Sequence, residues 1–80
     1  MGKKVYTLED GSRLLKDKNI EHTYLKSKML YVPKNVGIKC DNNAYTVYTE
    51  DRGRISTLYS GFNEDKAVRE VLKRCKVKPS

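Results

Sequence analysis

Five small apolar residues near the C-terminus constrain this chain more than any other feature. Ala67, Val68, Val71, Leu72 and Cys75 recur at i, i+1, i+4, i+5 and i+8, which draws one apolar stripe along a helix. Asn63 is a good N-cap, Glu64 and Asp65 suit the positive end of the helix dipole, and Lys73, Arg74 and Lys76 suit the negative end. Pro79 stops continuation, so the pattern predicts a helix over residues 63–76. A helix with one apolar face cannot bury it alone. In a chain of 80 residues it needs a second layer from the same domain.

That layer reads as antiparallel sheet. Ala44 to Glu50 alternates and is rich in Tyr, Thr and Val. Asp51-Arg52-Gly53 makes the turn and Arg54 to Ser60 returns. An earlier strand runs through Val36, Ile38 and Cys40 and ends at Asp41-Asn42-Asn43. Thr23 to Val32 reads as one more extended stretch. At the N-terminus, Lys4 to Leu8 has strand character, and Glu9 to Lys18 has helical spacing with Leu14 and Leu15 inward and Gly11 against it. The expected fold is α+β: one domain over residues 1–80, with a three- to four-stranded antiparallel sheet and the C-terminal amphipathic helix packed on one face. A short N-terminal helix stays open as a reading.

Alternation assigns the faces. Tyr45, Val47, Ile55 and Tyr59 are expected against the helix, with Phe62 between sheet and helix. The outer face then shows Lys39, Thr46, Tyr48, Arg54 and Ser56, with Arg52 at the turn.

Charge narrows the class of partner. Seventeen basic residues against ten acidic give a net charge of +7, a surplus that favours polyanions. Residues 1–34 carry eight basic and four acidic side chains, residues 35–62 three of each, and residues 63–80 six and three. The surplus therefore lies in the N-terminal third and the tail. Cys40 and Cys75 lack the spacing of a metal site and His22 is the sole histidine, so no metal or cofactor is expected. No apolar run approaches membrane-spanning length and no secretory leader is evident, which points to a reducing, cytoplasmic setting with free thiols. His22 lies between polar neighbours, with no evident nucleophile beside it and no phosphate-binding loop in the chain. The reading is a binding protein without a small-molecule substrate, not an enzyme.

The plan of residues 36–75 resembles the Apetala-type and phage-integrase arm-type DNA-binding domains. The matching features are Val36-Gly37-Ile38, Tyr45 to Tyr48, Gly53-Arg54-Ile55, Gly61-Phe62 and then Asn63 to Leu72. The resemblance implies three strands on a C-terminal helix, with the sheet laid in the major groove of duplex DNA. It makes Lys39, Thr46, Tyr48, Arg52, Arg54 and Ser56 the DNA-facing set, with Lys73, Arg74 and Lys76 adding phosphate contacts. This hairpin is neutral, whereas that family's strands are rich in Arg and Trp. The order helix, strands, helix is also similar to a double-stranded-RNA-binding domain, with Ser60-Gly61-Phe62-Asn63 in place of its turn. There Glu64-Asp65-Lys66 replaces the expected basic helix start, so DNA is favoured over RNA. A third resemblance is to short Lys-, Asn- and Tyr-rich accessory proteins of phages and mobile elements that bind and inhibit a host protein. In that reading Tyr24, Tyr31 and Tyr48 would form an exposed anchor patch.

Overall fold

The computed structural model describes residues 5–26, 28–33 and 35–77. Expectations about Met1 to Lys4 and about Lys78 to Ser80, Pro79 included, lie outside them. The chain runs α1 (Leu8–Asp17), β1 (Thr23–Leu25), β2 (Met29–Val32), β3 (Val36–Asp41), β4 (Ala44–Asp51), β5 (Arg54–Gly61) and α2 (Glu64–Arg74). The strands form one antiparallel meander in the order β1-β2-β3-β4-β5, and both helices pack on one of its faces.

The sheet has five strands because the stretch Thr23–Val32 folds back on itself. Lys28 N–H bonds to the Leu25 carbonyl, and Tyr24 then pairs with Leu30. Both longer hairpins use two-residue turns with positive φ, Asn42 and Asn43 in one and Arg52 and Gly53 in the other.

The N-terminal segment is a helix from Leu8 onward. Thr7 caps it: its hydroxyl accepts the Asp10 N–H at 3.2 Å, and the Asp10 carboxylate accepts the Thr7 N–H at 3.0 Å. Two further amides here are taken by α2. Leu8 N–H donates to Glu64 at 2.8 Å and Tyr6 N–H to Asp65 at 2.8 Å. Gly11, a poor helix former, is where the two helices meet. A Cβ at this position would stand 3.0 Å from Val68 Cγ1 and 3.2 Å from Leu30 Cδ2, so close packing outweighs propensity. Leu8 beside Glu64 and Gly11 beside Val68 fix the helices as parallel neighbours.

The core lies between helices and sheet. Leu30, Val32, Val36, Ile38 and Val47 come from the strands, Leu8 and Leu15 from α1, and Ala67, Val68, Val71 and Leu72 from α2. Tyr6 and Val77 close it at either end of the chain. Arg69 lies over the Tyr6 ring at 4.9 Å while its Nε donates to both Asp65 oxygens.

Two expected core positions are exposed. Phe62 is 78% exposed, because the Tyr59 ring fills the corner it was expected to fill. The Tyr59 hydroxyl accepts the Asn63 N–H at 3.2 Å, and its ring leaves no room for a Cβ at Gly61. Ile55 is 67% exposed, because β5 carries a bulge: Val47 pairs with Tyr59 but Tyr48 pairs with Thr57. The extra residue inverts the alternation from Thr57 back to Arg54.

Since Glu64 and Asp65 satisfy amides at the start of α1, replacing both by Ala should lower stability by roughly 2–4 kcal/mol, at about 1–2 for each charged acceptor removed. The urea midpoint would report it. An unchanged midpoint would mean that these bonds do not hold the helices together.

Candidate nucleic-acid interface

The bulge divides the expected site between the two sides of the sheet. Lys39, Thr46 and Tyr48 lie on the outer face with Glu50, Ile55 and Thr57, around one shallow depression. Thr49 pairs with Ser56 and Asp51 with Arg54, so Ser56 and Arg54 turn to the helix side, on a part of the hairpin that no helix buries. Arg52 is exposed in the turn between them. The six residues expected to share one surface therefore do not.

The outer face is close to neutral. Lys39 is offset by Asp41 and Glu50, and the residues paired around them, among them Leu25, Met29, Tyr31, Thr46, Tyr48, Ile55 and Thr57, are uncharged. Tyr24 belongs to the helix side, packed on the core, so the three tyrosines do not form one patch.

The charge sits instead on the helix layer: acids open both helices, Glu9 paired with Arg13 and Asp65 with Arg69, and cations close them. Both helices start beside Tyr24, Cys40 and Tyr45. Glu9, Asp10, Glu64 and Asp65 gather there at the two positive dipole ends. Burial, reinforced by the Glu64 carboxylate, pushes the Tyr45 phenol above its ordinary value. The helices run parallel from this end, so both closing turns lie at the opposite end of the helix layer. Lys16 and Lys18 close α1, and Lys73, Arg74 and Lys76 close α2. All five are exposed, and none is in an ion pair among the described residues. Asp17 is the one acid of the two closing turns. Arg54 is a further exposed cation on the helix side of the hairpin, paired in register with Asp51.

Sequence reasoning singled out Lys73, Arg74 and Lys76 but did not place Lys16 and Lys18 at the same end of the helix layer. That placement depends on the parallel helix pairing, and no local signal carries it. It also treated His22 as a lone surface residue. His22 is half-buried, with Nδ1 2.8 Å from the Ile20 carbonyl and Nε2 2.7 Å from Ser12 Oγ. With the proton on Nδ1, Ser12 donates to Nε2, as in a nucleophile–base pair. Ser12 is inside α1, where the backbone amides around it are committed to the helix ladder. The bond ties the loop after α1 back to the helix.

No group of His, Cys, Asp and Glu side chains among the described residues is placed to hold a metal ion. No described helix is long and apolar enough to cross a membrane. Cys40 and Cys75 are free thiols, both half-buried. No known family, curated protein or solved structure matches this chain.

Burial pushes the Cys75 thiol up. In a Cys40→Ser variant, iodoacetamide labelling of Cys75 should rise with pH to a midpoint above that of an ordinary thiol, about 8.5. A midpoint at or below that value would contradict the packing of Cys75 on the core.

Proposed function

We propose that the protein binds duplex nucleic acid by its phosphate backbone, through the basic end of the helix layer. The observation that carries this reading is that the closing turns of two parallel helices, at the same end of the helix layer, carry Lys16, Lys18, Lys73, Arg74 and Lys76, all exposed. Complementing the helix dipoles would need one or two cations per helix. Five exposed and unpaired ones, on a chain of net charge +7, exceed that need.

The contacts are of the positioning kind. Lysines and an arginine projecting from helix ends reach phosphates, and they present no element that enters a groove to read base edges. Binding is therefore sequence-tolerant and strongly salt-dependent. Arg54 and Ser56 on the helix side of the hairpin would add to the footprint, whereas Lys39, Thr46 and Tyr48 on the outer face would not. The start of α2 is not used, because Glu64 and Asp65 stand where a phosphate would sit. DNA is the duplex favoured here, with RNA as the comparison.

The test is fluorescence anisotropy with labelled duplex DNA, duplex RNA and single strands across a salt series. Duplexes should bind, and the triple replacement of Lys73, Arg74 and Lys76 by Ala should reduce the slope of log K against log salt by about 2–3, near 0.9 for each phosphate no longer neutralised. Lys39→Ala should leave affinity and slope unchanged. No binding by any of these nucleic acids at about 50 mM salt, where phosphate contacts are strongest, would overturn the proposal.

A further inference from the structure

The outer face of the sheet holds a second feature that nucleic-acid binding does not use. Tyr31, Gly37 and Tyr48 are register partners across β2, β3 and β4. With no side chain at Gly37, both rings close over it. A Cβ there would stand 2.8 Å from the Tyr48 Cζ and hydroxyl and 3.0 Å from Tyr31 Cδ1. Tyr48 thus lies across β3 instead of standing away from the sheet. The two rings line a pocket at the end of this face together with Asn35, Val36, Glu50, Asp51 and Arg52. Neither carboxylate is in an ion pair among the described residues, and Arg52 lies within 4.0 Å of neither. Burial, with the Tyr31 and Glu50 charges adding to it, pushes the Tyr48 phenol above its ordinary value.

We infer that this pocket takes an arginine side chain from a protein partner docked on the open face of the sheet. A guanidinium plane stacks on a tyrosine face and bonds to a carboxylate at its edge, and the pocket offers both. Charge selects this occupant. On a strongly basic molecule, the pocket's two acids, Glu50 and Asp51, outnumber its one cation, Arg52, which favours a cation over a phosphate chain. An unpaired base stacking on Tyr48 would bring its phosphate toward both carboxylates. The surround is suited to a protein: Met29, Thr46 and Thr57 are uncharged, and Ile55 is an exposed apolar residue.

The pocket is independent of the basic end, and its test is separate. The probe is a short blocked peptide with one central Arg, titrated into the isotope-labelled full chain and followed by NMR. A matching peptide with Glu in place of Arg and a deoxynucleoside monophosphate are the comparisons. The Arg peptide should give saturable shifts at Tyr31, Gly37, Tyr48 and Glu50. Glu50→Gln, an exposed and structurally mild change, should weaken that response by about two- to fivefold, the scale of an exposed ion pair. Lys73→Ala should leave it unaltered. The absence of saturable shifts at these residues, or an equal response to the Glu peptide or the nucleotide, would overturn the inference.

Discussion

Two carboxylates at the start of α2 hold the start of α1. Glu64 and Asp65 accept the amides of Leu8 and Tyr6, and that contact sets much of the architecture. Helix starts leave amides without intrahelical partners, and burial makes an unpaired amide costly. Here the shortfall of one helix is met by the acids that also suit the dipole of the other. The two starts are thereby fixed side by side, and Gly11 lets the helix bodies close together against Val68 and Leu30. Helices joined at their starts and packed along their length must run parallel.

Parallel helices have a cost: their dipoles lie side by side with like ends together. The sequence offsets it with Glu9, Asp10, Glu64 and Asp65 at the positive ends and with Lys16, Lys18, Lys73, Arg74 and Lys76 at the negative ends. Charge is uneven as a result. The closing turns of the helices carry five cations and one acid, the acids of the opening turns are in part paired with Arg13 and Arg69, and the outer sheet face is nearly neutral and bears tyrosines. On the proposed reading, polyanions meet the closing turns, and a different face is left for a partner of different chemistry.

Local signals in the sequence were sufficient for several elements. The α2 stripe and its Asn63 cap, the Asn42-Asn43 and Arg52-Gly53 turns, and the alternation of β3 and β4 each rest on neighbouring residues, and each appears within a residue or two of its expected bounds. What did not emerge depends on contacts distant in sequence. The doubling of Thr23–Val32 into two strands follows from the pairing of β2 with β3. The exposure of Ile55 follows from one unpaired residue in β5, which no composition rule marks. Phe62 was displaced by Tyr59, a competition between two aromatic residues for one corner. Gly11 read as a defect in a helix because its use is visible only from the other helix. The same limit applies to the site: Lys73, Arg74 and Lys76 stand together in the sequence, but only the fold puts Lys16 and Lys18 at the same end of the helix layer.

The central claim is that the fold, by pairing its helices in parallel, builds one basic end that meets nucleic-acid phosphates. Mapping NMR shift changes of the full chain on a saturating DNA duplex tests it most directly. The largest changes should fall at Lys16, Lys18, Lys73, Arg74 and Lys76, with the outer face at Lys39, Thr46 and Tyr48 unmoved. Changes centred on Lys39, Thr46 and Tyr48, or no changes at all, would contradict it.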